Sequence, residues 1–163
     1  MPIQSTNQKS KIQNIQKKQA LTTAQTTLQN LQNTMTGATV DDQIAQIKAA
    51  ATTIEQQAQQ AVRNNYIDAN TMNAKIKTIQ GIMLGQFIQN QLNQSQINLN
   101  QQQITESINR IQQNWENIGI NKQNANTNER HLKLQQLVKD IPDSEGKIID
   151  GVTKLLPVLL MML

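Results

Sequence analysis

Apolar side chains along this chain recur at separations of three and four residues, the spacing that favours α-helix. No proline occurs between Pro2 and Pro142, and only four glycines interrupt that span. Thr39 and Asp42, three residues apart, have the pattern of a helix N-cap and its acidic partner. The fold class is therefore predicted as all-α. The predicted helices cover about residues 6–35, 40–64 and 72–118.

The second predicted helix places its apolar residues on one stripe, at steps of four and three. Alanines alternate with isoleucines along this helix-packing seam, so a neighbouring helix can approach closely. The stretch from Asn64 to Asn70 then predicts a break, because asparagine tolerates turn geometry. The helix-packing seam comprises Val40, Ile44, Ile47, Ala51, Ile54 and Ala58.

The third predicted helix carries apolar residues at intervals of seven, which indicates supercoiling against partner helices. A lone helix cannot bury such a stripe, so we interpret it as the oligomer seam of a coiled coil or helical barrel. Gly81 and Gly85 lie four residues apart in this helix and favour either a close helix contact or a hinge. The oligomer seam comprises Ile76, Ile79, Met83, Ile97, Ile104, Ile108, Ile111, Trp115 and Ile118.

The chain after the helical oligomerisation region, residues 1–118, divides into two further parts. Residues 119–130 are rich in asparagine and lack periodicity, which is typical of a linker. Residues 131–163 change from amphipathic to hydrophobic, and their last nine residues are too few to cross a hydrocarbon core as a helix. We expect this C-terminal segment to dock on a membrane or a partner protein. The docking residues are Ile148, Ile149, Val152, Leu155, Leu156, Leu159, Leu160 and Leu163.

The composition disfavours an enzyme. Side-chain amides are unusually abundant, with 28 glutamines and 19 asparagines among 163 residues, while aromatic residues make up 2%. A single histidine and the lack of cysteine exclude thiolate zinc sites and thiol nucleophiles. The sequence has no glycine-rich phosphate loop and no nucleophile with a base to activate it. We therefore expect no catalytic residue, no metal and no cofactor.

Charge is distributed unevenly along the chain. Residues 1–40 contain four lysines and no acid, whereas the remaining residues carry eleven bases and eleven acids. Such a basic arm can contact the phosphate of DNA or of an anionic lipid, although a solvated helix face explains it as well. The window from Thr78 to Thr105 contains no charged residue at all. The lysines of the arm are Lys9, Lys11, Lys17 and Lys18.

Three interpretations of the amides are open. Low-complexity disorder is disfavoured, because a disordered chain has no use for isoleucines at intervals of seven. The amides can simply form solvated helix faces. Alternatively, they can line the lumen of a parallel oligomer, where they neither hold nor repel a passing DNA chain by a long-range field. The candidate lumen residues are Asn90, Gln94 and Gln101.

The amide-rich helix over residues 72–118, together with the hydrophobic tail over 155–163, resembles the internal virion proteins of tailed bacteriophages. These ejection proteins, like the pilot proteins of small single-stranded-DNA phages, build a conduit through the host envelope. The resemblance implies a structural virion protein that assists DNA delivery across that envelope. It also implies a homo-oligomer whose partners are portal or internal virion proteins, DNA without sequence specificity, and the host membrane. The expected location is the virion, with transfer to the host cell envelope.

Two alternative functions share the same features. The sequence also resembles the translocator and filament subunits of type III secretion systems, which would make it a secreted protein. A virion assembly adaptor that docks on the capsid or portal through its C-terminal tail is the third interpretation.

Overall fold

The structure, a computed structural model, describes residues 11–12, 15, 26–27, 29–31, 33, 39–94, 100–142 and 146–162. Within these ranges all regular structure is helical, which confirms the all-α class. Most of the helix predicted over residues 6–35 lies outside the described residues, although those described there are helical. After residue 39, the helices are α1 (Val40–Arg63), α2 (Ala69–Gln94), α3 (Gln101–Trp115), α4 (Asn128–Leu137) and α5 (Lys147–Leu160).

Helix α1 begins where the capping pattern predicts. The Thr39 hydroxyl accepts the Asp42 backbone N–H at 3.2 Å, so one of the donors left free at the helix start has a partner. Asp41 and Asp42 in the first turn also stabilise the positive end of the helix dipole. The helix ends before Asn65, which adopts a left-handed conformation with φ 58°. Asparagine tolerates this conformation, which allows the chain to turn into α2.

The prediction of a single helix over residues 72–118 is wrong, because the structure has two helices there. Helix α2 ends at Gln94, and α3 begins at Gln101 after Asn100, whose side chain accepts the N–H groups of Gln102 and Gln103. The two helices pack against each other and run antiparallel. The hydrogen bond from the Thr78 hydroxyl to the Glu116 carboxylate shows this direction, since it joins the early part of α2 to the end of α3. A stripe at intervals of seven requires partner helices, and other helices of the same chain supply them.

The asparagine-rich stretch interpreted as a linker forms a turn closed by side-chain hydrogen bonds. The Asn124 amide donates to the Gly119 carbonyl at 2.8 Å and accepts the Asn121 N–H at 2.9 Å. Gly119 has φ 75°, which favours glycine. Helix α4 then begins at Asn128, inside the predicted linker, with Thr127 as its N-cap.

Helix α5 lies in the core of the fold. It packs against α1, α2 and α4, and its apolar residues belong to the same buried cluster as those of the other helices. The structure therefore differs from the expectation of a C-terminal segment available for docking. The physical reason is that α1, α2 and α4 cover the apolar surface that an isolated α5 would expose to water.

Candidate functional surfaces

The predicted oligomer seam is buried inside one chain. Its buried members belong to the one core cluster that the helices of this chain form together, so the side chains expected to meet other copies are already covered. Ile118 is only half-buried, and Ile97 lies outside the described residues. The buried members are Ile76, Ile79, Met83, Ile104, Ile108, Ile111 and Trp115.

The glycine pair in α2 lies at a close helix contact. A Cβ atom on Gly81 would lie 3.0 Å from the carbonyl oxygen of Gln112, and one on Gly85 would lie 2.6 Å from the Gln112 side-chain nitrogen. Of the two interpretations offered by the sequence, close contact is the one that this geometry fits. The glycines let α3 approach the backbone of α2.

Gln80 forms a polar bridge between three helices. Its amide nitrogen donates to the Leu159 carbonyl of α5 at 2.7 Å, and its amide oxygen accepts the Trp115 indole N–H of α3 at 3.1 Å. Gln80 is only 1% exposed, so both bonds are shielded from water. Sequence reasoning missed this bridge. The available signal was an amide four residues after Ile76 and three before Met83, on the apolar stripe.

The predicted docking residues of the C-terminal segment are covered by the chain itself. Ile149 is half-buried, and Leu163 lies outside the described residues. The others are not exposed on this fold to a membrane or a partner. The buried members are Ile148, Val152, Leu155, Leu156, Leu159 and Leu160.

The helix-packing seam of α1 contributes to the same core. Val40 and Ile44 at its beginning are half-buried and pack against that core. The fully buried members are Ile47, Ala51, Ile54 and Ala58.

The structure describes the side chains of two of the three candidate lumen residues. Asn90 is buried within the fold, whereas Gln101 is exposed at the start of α3. Gln94 is the last residue of α2, and its side chain lies outside the described residues. Asn90 is therefore covered within one chain, and the lumen stays a prediction for an assembly of several copies.

Near the connection between its two helices the α2–α3 pair exposes amides and hydroxyls, and the first charged residues that follow on α3 are the exposed Glu106 and Arg110. Within residues 78–105 the described side chains that reach solvent include amides and hydroxyls but no ionisable group. Asn93 accepts a hydrogen bond from Gln89 at 3.1 Å along this surface. We call it the uncharged hairpin surface, and its members are Gln86, Gln89, Asn93, Gln101, Gln102, Gln103 and Thr105.

The basic arm is described at few positions. Lys11 is exposed and helical, while Lys9, Lys17 and Lys18 lie outside the described residues. Next to Lys11, the side chains of Ile12 and Ile15 are also exposed. The arm thus presents apolar as well as basic groups to its surroundings.

An apolar cleft of about 300 Å³ opens between α1 and the first half of α2. Met72 and Met162 contribute to its lining, and Glu55 and Arg63 place one charge of each sign beside it. Across the described ranges, no three residues of the metal-binding types come together where they could hold an ion. Within those ranges no helix has both the length and the apolarity to cross a membrane.

Comparison with known protein families, with curated proteins and with solved structures finds no match for this chain.

Proposed function

We propose that this protein is a structural component of a bacteriophage particle that assists delivery of DNA across the host envelope. The observation that carries the proposal is the uncharged hairpin surface. DNA is densely charged, so fixed positive groups on a neighbouring protein hold it and fixed negative groups repel it. A surface of amides and hydroxyls does neither over long range, which suits a protein past which DNA must move.

The fold changes how such a protein would assemble in the particle. The seam of α2 and α3 and the apolar face of α5 are used within one chain, so copies or other virion proteins would have to contact outer surfaces instead. The uncharged hairpin surface is available for such contacts, because several of its amides are exposed on α3. We therefore retain a homo-oligomer with portal or internal proteins as partners within this proposal.

The phage proposal is favoured over a secretion translocator by the placement of the apolar residues. The translocator interpretation takes the hydrophobic C-terminal segment as its membrane-active part, and that segment forms α5, which is packed among α1, α2 and α4. The adaptor proposal is disfavoured for the same reason, because the C-terminal tail that was expected to dock is packed in the core.

The proposal is tested in the phage whose genome carries this gene. We expect the protein in purified particles by mass spectrometry, and portal and terminase genes in its neighbourhood. Changing Gln101 and Gln103 to Lys should slow DNA delivery per adsorbed particle, because added positive charges hold phosphate, most strongly at low salt. The matched control changes both residues to Asn, which shortens the amides without adding charge.

Both variants should keep the thermal unfolding midpoint of the unmodified protein, since both positions are exposed. Equal delivery by the Lys and Asn variants would remove the role assigned to the uncharged hairpin surface. Absence of the protein from purified particles would contradict the proposed function as a whole.

A further inference from the structure

Of the three large apolar side chains that are exposed within the described ranges, two lie close together in the sequence. Over the described ranges they are Ile12, Ile15 and Leu132, at 44%, 55% and 64% exposure. Leu132 has no second exposed large apolar side chain beside it among the described residues of α4. Ile12 and Ile15 each have helical backbone, and in the sequence they lie three residues apart.

The two isoleucines lie within the basic arm. Lys11 is exposed directly beside Ile12. In the sequence Lys9 precedes Ile12 by three residues and Lys18 follows Ile15 by three, and no acid occurs before Asp41. We call residues 9–18 the basic apolar segment.

The chain that follows the basic apolar segment contacts the helical bundle. Leu31 is buried, and together with Thr27 it lines a groove whose other side includes Ala50 of α1. Within the described N-terminal residues, Ile12 and Ile15 are thus exposed, whereas Leu31 packs on α1.

The chemistry of the basic apolar segment favours one binding partner over two others. A second copy of the segment would bring four lysines against four more, and the repulsion opposes pairing. A nucleic acid would neutralise the lysines but would leave the isoleucines in water. An anionic bilayer satisfies both, because its headgroups attract lysine and its acyl boundary takes up apolar side chains.

We propose that residues 9–18 bind the surface of anionic lipid membranes, with Ile12 and Ile15 inserted at the headgroup boundary and the lysines on lipid phosphate. This inference moves the membrane contact from the covered C-terminal helix to the N-terminal region. It rests on the proposed function for its setting at the host envelope, whereas lipid binding itself can be measured without any phage.

The test uses the full chain and vesicles of phosphatidylcholine with or without phosphatidylglycerol, separated by flotation. We expect binding to the anionic vesicles that weakens with salt, and little binding to phosphatidylcholine alone. The double change Ile12→Ser with Ile15→Ser should weaken binding by about tenfold or more, because the inserted groups are lost. The control Leu132→Ser removes the other exposed apolar side chain and should leave binding unchanged.

Three results would overturn the inference. The first is equal vesicle binding by the double variant and the unmodified protein. The second is a lower thermal unfolding midpoint for the double variant, which would make the two isoleucines core residues. The third is binding to DNA but not to anionic vesicles, which would assign the lysines to nucleic acid. Vesicle binding by a protein that is absent from phage particles would contradict only the proposed function.

Discussion

At the scale of single residues, Gln80 holds together three helices that are distant in sequence. The change Gln80→Ala would leave the Trp115 indole N–H and the Leu159 carbonyl without their Gln80 partner in the core. Each buried polar group left unsatisfied costs about 1–3 kcal/mol, so we expect the loss of both bonds to lower the free energy of unfolding by about 2–6 kcal/mol. Urea denaturation followed by circular dichroism measures this change.

Gln89→Ala is the matched control for Gln80 on the same helix. Gln89 is half-buried and donates to Asn93, an exposed neighbour one turn away. Its loss should change the free energy of unfolding by no more than about 0.5 kcal/mol. Similar losses for the two variants would show that the bridge between helices adds nothing beyond a surface hydrogen bond.

Residues differ in how well the sequence predicts their role. The Thr39 cap was predictable because cap and partner lie three residues apart, and the structure confirms it. The position of Gln80 on the apolar stripe indicated a buried amide, but its partners were not predictable, because they lie 35 and 79 residues away. Gln80 comes within hydrogen-bond distance of these partners only when α2, α3 and α5 have packed together.

At the scale of elements, α5 is a core helix, and its apolar residues should control stability. Leu155 is fully buried, so Leu155→Ala should lower the free energy of unfolding by about 2–5 kcal/mol through lost burial and a residual cavity. Leu132→Ala, at an exposed position of α4, should leave it nearly unchanged. Denaturant unfolding compares the two. Unchanged stability for Leu155→Ala, with weaker vesicle binding, would instead make α5 a docking element.

Elements were predicted best where a local signal marks their ends. Helix α1 was expected over residues 40–64 and is observed at Val40–Arg63, because Thr39 and the following asparagines mark both boundaries. The connection between α2 and α3 was missed, because its sequence lacks proline and glycine and contains only an N-cap signal at Asn100. Periodicity indicates that a stripe must be buried. It does not indicate whether the covering surface belongs to the same chain.

At the scale of the whole molecule, it is measurable whether the apolar stripe is covered by the same chain or by other copies. One chain buries the α2–α3 seam and the apolar face of α5 in a single core, so folding should not require other copies. We expect the thermal unfolding midpoint to stay constant between about 1 and 100 µM protein, because mass action stabilises only a fold that binds its partner. If partner copies completed the core, a hundredfold rise in concentration would add up to about 2.7 kcal/mol, and the midpoint would rise.

Calorimetry over that concentration range separates folding from assembly. A constant midpoint, combined with larger species in sedimentation at high concentration, would place copy-to-copy contacts on outer surfaces such as the uncharged hairpin surface. Under those conditions Gln101→Lys with Gln103→Lys should reduce the larger species without lowering the midpoint, since like charges would then meet across the contact. A midpoint that rises with concentration would return the seam to its predicted role between chains and would contradict the fold of a self-sufficient single chain.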